Sequence, residues 1–280
     1  MAVAALSVGI LILAAVYQIS RALLPSGGDV VADGRGAPAS QNLAPLDSDS
    51  DGWEDWEEIF AGTNPNDPQS NPSFSRGAQD GRKPSGSEFI AATIYSHTEA
   101  LRNGVSPQTL AGAFESELAS FIKGHTEYRK YTAADIKATP DISAESAETY
   151  RDAMRDAAEP LLGLQYSELS LYGEFLVTQD PSVLVELALA ADVYEKVALA
   201  MATVTVPQDA VNIHVAAANS LLHFASTLRA VVDSEEDPLG AYTFLEAFND
   251  AEENMVGEFA KLGEYYVKKE GRITDKSTSI

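Results

Sequence analysis

A run of acidic residues constrains this chain more than any other feature of its sequence. Seven carboxylates lie within the twelve residues from Asp47 to Glu58, and no Lys or Arg lies among them. Such a segment folds compactly only if a cation offsets the repulsion between its side chains. Asp occupies positions 1, 3, 5 and 9, Gly position 6 and Glu position 12, an order typical of a loop that wraps a hard cation with oxygen ligands.

This loop predicts a calcium site. Alternate spacing places three Asp side chains on one side of a tight turn, and Gly52 permits a backbone angle that a Cβ would disfavour. The expected ligands are Asp47, Asp49, Asp51, the carbonyl of Trp53, Asp55 directly or through water, and both oxygens of Glu58. The alternative is a merely solvated acidic run, but every diagnostic position matches. We expect Ca²⁺ to bind weakly, with a dissociation constant of about 10⁻⁵ to 10⁻³ M.

Residues 47–68, which continue from the loop into Ala61-Gly-Thr-Asn-Pro65, resemble the thrombospondin type 3 repeat and related bacterial EF-hand-like calcium-binding repeats. Pro45 lies where the entering helix of a true EF-hand would run, so only the exiting helix is expected. The resemblance implies tandem loops that share ligands. The segment that follows, Gln69-Ser-Asn-Pro-Ser-Phe-Ser, lacks acids, and we therefore expect one ion.

The N-terminal segment, residues 1–24, is predicted to be a membrane anchor. Met1 to Tyr17 carries no charged side chain, and about 20 apolar residues span a bilayer. A cleaved signal peptide and a buried core helix are the alternatives. The only nearby basic residue, Arg21, follows the apolar segment. By the positive-inside rule alone, the part of the chain after the anchor would lie on the cytoplasmic side. A weak calcium site would stay empty in cytosol, so we expect this part to face the extracytoplasmic side.

The composition excludes several classes of function. The net charge of −23 and the pI near 4.4 repel phosphate backbones and anionic lipid surfaces, so nucleic acid is not an expected partner. The absence of cysteine excludes disulfides, thiolate metal sites and cysteine nucleophiles. No motif for a catalytic triad, a phosphate loop or a dinucleotide site is present. We therefore expect no enzyme and no catalytic residue.

The rest of the chain predicts an all-α protein. Residues 25–46 and 69–87 are rich in Gly, Pro and small polar residues and are expected to be linkers that isolate the calcium repeat. Residues 88–280 have the apolar spacing of a bundle of about six antiparallel helices, and residues 85–280 should fold alone. The expected helices are 88–103, 107–123, 144–177 with a kink at Pro160, 181–203, 207–232 and 238–269.

One pair in the bundle invites a functional interpretation. If the last two helices form a hairpin, Glu252 would lie within a turn of His214. A buried hydrogen bond between these two residues is the favoured interpretation, and a proton or metal pair is the alternative.

Three segments of the bundle domain resemble helical exported proteins of candidate-phyla bacteria; they begin at Tyr131, Val206 and Asp237. This resemblance implies a helical architecture and a surface location, with no assigned activity. We expect an anchored structural or interaction protein of the cell surface that binds a protein partner, in an appendage or secretion assembly for example. The alternative is an extracytoplasmic bundle that binds a small ligand or acts as a sensor. The sequence leaves the oligomeric state open.

Overall fold

The computed structural model describes residues 45–71 and 83–277. The described chain is mostly helical and has almost no strand, which confirms the all-α class. The predicted anchor at residues 1–24 lies outside the described residues, as do most of the 25–46 linker and residues 72–82 of the second linker.

Nine α-helices and two very short strands follow one another along the described residues. The helices are α1 (Asp55–Ala61), α2 (Gly86–Arg102), α3 (Pro107–His125), α4 (Ala144–Ala158), α5 (Glu168–Thr178), α6 (Pro181–Thr203), α7 (Val211–Val232), α8 (Pro238–Ala241) and α9 (Leu245–Ser277). The strands are β1 (Ala138–Thr139) and β2 (Val206–Pro207). Single 3₁₀ turns lie at 133–135, 159–163, 208–210 and 242–244.

Proline marks most of the helix starts as the sequence predicts. Pro107, Pro181 and Pro238 each begin a helix, because proline lacks only an N–H that is unsatisfied at that position anyway. Pro207 is the exception, since it ends strand β2 and the helix after it begins four residues later, at Val211. The strands pair in parallel, with Ala138 opposite Val206.

The helix predicted for residues 144–177 is two helices. Pro160 does not kink a continuous helix; it lies in a five-residue 3₁₀ turn, Glu159–Gly163, after which α5 begins at Glu168. A proline in a helix interior removes one hydrogen bond and clashes with the preceding turn. Because Pro160 lies in the 3₁₀ turn, neither helix has this proline in its interior.

The division of the chain differs from the predicted domains. The chain divides into two compact units between Gly124 and His125, whereas the sequence places a boundary between residues 87 and 88. The acidic loop and α1 belong to the N-terminal unit together with α2 and almost all of α3. The expected isolation of the calcium repeat from the first long helices is therefore wrong.

Aromatic side chains hold the core of the C-terminal unit. Phe224 of α7 contacts Tyr194 of α6 and Phe248 of α9, with ring centroids 5.0 and 5.3 Å apart, and Tyr172 of α5 contacts Phe248 at 5.2 Å. The segment Gln208–Val232, which contains α7, is long and apolar enough to cross a membrane by length and composition, but more than half of its most apolar stretch is buried inside the protein. Its apolar character is explained by its place in this core.

Candidate metal centre

The acidic loop brings its first three Asp residues together. One carboxylate oxygen from each of Asp47, Asp49 and Asp51 lies within 4.8 Å of the other two. Two ligands on opposite sides of Ca²⁺ are separated by about this distance, since each Ca–O bond is about 2.3 to 2.6 Å. The alternate spacing therefore produces the convergence that the sequence predicts.

Backbone amides of the loop point toward the same carboxylates. Asp47 accepts the N–H of Ser50 at 2.7 Å and the N–H of Gly52 at 3.2 Å, and Asp51 accepts the N–H of Trp53 at 2.9 Å. Gly52 has φ +97°, and a Cβ there would meet no neighbouring atom. The conformation, not lack of space, therefore requires glycine. Ser50 also adopts a left-handed conformation, with φ 62°, which lets the chain curl around the cluster.

Glu58, the last of the predicted ligands, lies on helix α1. Its side chain is fully buried, and among the described residues neither of its carboxylate oxygens has a hydrogen-bond partner. One further oxygen each of Asp49 and Asp51 is buried in the same unpartnered way. Burial, together with the nearby carboxylates of Asp49 and Asp51, raises the pKa of Glu58 to about 7. Burial of four carboxylate oxygens destabilises the fold unless a hydrogen-bond donor or a cation compensates for the lost hydration.

The residues fit calcium. Three Asp oxygens and two Glu58 oxygens supply five donors, and a carbonyl and a water would bring the number to seven, within the six to eight that Ca²⁺ takes. Both oxygens of a glutamate on one ion suit the flexible geometry of calcium better than the octahedron of Mg²⁺. The donors are all hard oxygens, so soft metals are disfavoured.

Asp55 closes the loop. Its carboxylate accepts the N–H and the hydroxyl of Ser48, each at 2.7 Å, and its own N–H donates to the carbonyl of Leu46 at 2.8 Å. Asp55 is buried, and this burial raises its pKa. Its direct or water-bridged contact with the ion stays a prediction, as does the carbonyl contact of Trp53. The structure adds the closure of the loop as a role for Asp55.

Helix α1 packs into an aromatic core. The ring of Trp56 lies 5.0 Å from Phe89 of α2 and 6.3 Å from Phe121 of α3, edge-on to both, and the two Phe rings stack at 4.5 Å. Trp56 donates its indole N–H to the carboxylate of Glu54. Burial raises the pKa of Glu54 to about 7. Trp56 and the predicted ligand Glu58 therefore share one short helix, which packs on the core of the N-terminal unit.

Sequence reasoning did not find the side chains outside the loop that touch it. Leu46, which precedes the first ligand, donates its N–H to Glu117 of α3 at 3.3 Å. Glu117 is fully buried, and its carboxylate hydrogen-bonds with Nε2 of His97 on α2. A glutamate and a histidine twenty positions apart match no metal or catalytic spacing, so the only signal was their position on the apolar faces of two adjacent helices.

The predicted contact between His214 and Glu252 is wrong. His214 is buried in the C-terminal unit, where its Nε2–H donates to the carbonyl of Met201 at 3.1 Å and its Nδ1 accepts the hydroxyl of Tyr150 at 2.9 Å. Burial lowers the pKa of His214 to about 4. Glu252 is near Glu168 instead, and burial together with that carboxylate raises its pKa. Both imidazole nitrogens are thus used in structural hydrogen bonds.

Comparisons of the chain with protein-family models, with curated proteins and with solved structures find no match. The geometry of the site must therefore support the function by itself.

Proposed function

We propose that this chain is a calcium-binding structural or interaction protein whose N-terminal segment anchors it in a membrane. In this proposal the loop of residues 47–58 binds one Ca²⁺ on the extracytoplasmic side, and the helical C-terminal unit binds a protein partner at the cell surface. The architecture is an anchor, a calcium loop and an antiparallel helical bundle. No catalytic step is assigned to it.

The observation that carries the proposal is the set of four buried carboxylate oxygens without a partner, on Asp49, Asp51 and Glu58. One carboxylate oxygen of Asp47 lies within 4.8 Å of one oxygen each of Asp49 and Asp51, and Glu58 is close enough to these three carboxylates for their charges to raise its pKa. A bound divalent cation satisfies all of them at once and removes the repulsion among the acids. If the loop were merely a solvated acidic run, the carboxylate at its twelfth position would be exposed, whereas Glu58 is 0% exposed.

Terbium luminescence tests the metal site. Trp53 and Trp56 are the only tryptophans of the chain, and both lie beside the expected ion, so excitation of indole should sensitise bound Tb³⁺. We expect calcium to displace Tb³⁺ from the purified full-length protein, and Asp49→Asn to abolish the signal. Glu115→Gln is the matched control, because Glu115 is an exposed carboxylate of the same unit. A signal that persists in Asp49→Asn would contradict the site.

Exposed apolar side chains support a protein partner for the C-terminal unit. On α6, Val185 and Leu189 are one turn apart and are 59% and 52% exposed, on the side of the helix opposite the buried Leu187. The acidic residue Glu186 lies between them in sequence and is also exposed. A surface of this kind fits a partner segment that presents apolar residues flanked by Lys or Arg.

In-cell crosslinking from α6 tests the partner. We expect a reproducible crosslink to one membrane or surface protein, which Leu189→Ser removes. Val256→Ser is the control, since Val256 is a similarly exposed valine on α9. If no protein is recovered and a small metabolite copurifies with the protein, the small-ligand-binding alternative replaces this proposal.

A further inference from the structure

Both backbone groups of Leu46 are held at the entrance to the acidic loop. Its carbonyl accepts the N–H of Asp55 at 2.8 Å, which joins the two ends of the loop. Its N–H donates to Oε1 of Glu117 at 3.3 Å, across 71 positions of sequence. Because Leu46 is bonded directly to Asp47, a side chain of α3 fixes the residue next to the first calcium ligand.

Glu117 is itself fixed from the far side. It is 0% exposed, and its two oxygens lie 3.2 and 3.0 Å from Nε2 of His97 on α2, a side chain that is also buried. The imidazole lies edge-on to Phe114 of α3, with ring centroids 6.4 Å apart. These contacts fix the orientation of the carboxylate. Helices α2 and α3 follow one another in the chain and are here called the α2–α3 hairpin; Glu117 joins this hairpin to the loop.

A second contact supports the other end of the loop. Ser120, three residues after Glu117 on α3, lies close enough to the carboxylate of Glu54 to lower the pKa of that group. Trp56, two residues further along the chain, packs on Phe89 and Phe121 of the same hairpin. The hairpin therefore holds the loop both before its first ligand and beside the helix that carries its last ligand, Glu58.

We propose that the α2–α3 hairpin replaces the entering helix that Pro45 excludes, and that Glu117 is the positioning residue that sets calcium affinity. This inference rests on the proposed function. Glu117 is too well hydrogen-bonded to be a ligand; it acts by holding Leu46, so that the ion does not have to order the loop when it binds. The coupling is reciprocal, so calcium must strengthen the contact of the loop with the hairpin by the same factor.

Loss of this anchor should weaken calcium binding. A hydrogen bond to a charged acceptor contributes enough that its removal corresponds to roughly a tenfold to hundredfold change in an equilibrium constant. We expect Glu117→Ala to raise the dissociation constant for Ca²⁺ by at least about tenfold. Glu117→Gln keeps an oxygen that accepts the Leu46 N–H and should fall between Glu117→Ala and the unaltered protein. Glu115→Gln, on the same helix but exposed, should change the constant by less than about twofold.

The experiment is a calcium titration of the full-length protein and these variants, followed by tryptophan emission and run well below the melting temperature of each protein. A merely structural role for Glu117 would lower the melting temperature and leave the dissociation constant unchanged, which would overturn the inference while the proposed function stands. If the unaltered protein binds no calcium, the proposed function fails and the inference with it.

Hydrogen exchange of the unaltered protein keeps the inference testable if Glu117→Ala does not fold. Calcium should slow exchange of the amides of α3 around Glu117 and of α2 around His97 as well as those of the loop. Slower exchange confined to residues 46–62, with no change in α2 and α3, would overturn the coupling.

Discussion

Removal of calcium should destabilise the N-terminal unit and leave the C-terminal unit unchanged. Glu58 and Trp56 lie on the same helix, and Trp56 belongs to the aromatic core formed with Phe89 and Phe121. An ion bound by Glu58 therefore binds only the conformation in which this core is assembled. Ligands that bind the native state alone stabilise it by mass action. This expectation reverses the prediction from the sequence, which separated the loop from the helices.

The magnitude follows from the expected affinity. With a dissociation constant of about 10⁻⁴ M, a calcium concentration of about 10 mM is a hundredfold excess and contributes about 2.7 kcal/mol to the free energy of unfolding. For a unit of this size, 1 kcal/mol changes the melting temperature by about 4 to 8 °C. Chelation should therefore lower the melting temperature of the N-terminal unit by roughly 10 to 20 °C.

Tryptophan emission gives a melting curve for this unit alone, because Trp53 and Trp56 are the only tryptophans of the chain. Hydrogen exchange of peptides from α6 and α7 reports on the C-terminal unit in the same samples. Calcium is replaced by chelator and magnesium at equal ionic strength. If the tryptophan transition does not move although calcium binds, α1 is not coupled to its core. An equal change in α6 and α7 would show a general effect of ions and would also contradict the reasoning.

Three further results are expected. Glu58→Gln should abolish the effect of calcium on stability. Without calcium it should raise the free energy of unfolding of the N-terminal unit by about 1 to 2 kcal/mol, because it removes a carboxylate whose pKa burial raises. A lower stability of Glu58→Gln in chelator would contradict this. Trp56→Ala should lower the free energy of unfolding, measured by chemical denaturation, by about 3 to 5 kcal/mol. Tyr95→Ala is the control and should change it little, because Tyr95 is an exposed aromatic residue of α2. His214 should make the C-terminal unit less stable in acid, because burial lowers its pKa from 6.5 to about 4. The unfolded chain then binds the proton more tightly, so this contribution to the free energy of unfolding is fully present above pH 6.5. Relative to His214→Gln, the free energy of unfolding should fall by about 2 kcal/mol between pH 7.5 and 5. A difference between the two proteins that does not change with pH would refute this assignment.

Helices α2, α3 and α6 could be predicted closely from the sequence because their signals are local, whereas the helices predicted for residues 144–177 and 238–269 are each divided by a 3₁₀ turn. Pro107 and Pro181 begin helices where an acceptor residue precedes proline, and α6 ends at Thr203 as its apolar spacing indicates. The loop carboxylates could be predicted for the same reason, since Asp47, Asp49 and Asp51 converge through alternate spacing in one turn. In each case a few consecutive residues determine the outcome.

Contacts between distant segments could not be predicted in this way. Proline and glycine in residues 69–87 indicate an irregular segment, but they do not show whether the chain returns to the loop. It does return, since Trp56 packs on Phe89. Likewise, the apolar face of α7 predicts that His214 is buried, but not that its partners are Tyr150, 64 positions away, and the carbonyl of Met201.

A crystal structure of the protein with calcium, with the ion located by its anomalous scattering, tests the central claim most directly. The account predicts one ion between the loop and α1, bound at about 2.3 to 2.6 Å by oxygens of Asp47, Asp49 and Asp51 and by both oxygens of Glu58. An empty loop at saturating calcium, or an ion from which the carboxylate of Glu58 is turned away, would contradict it.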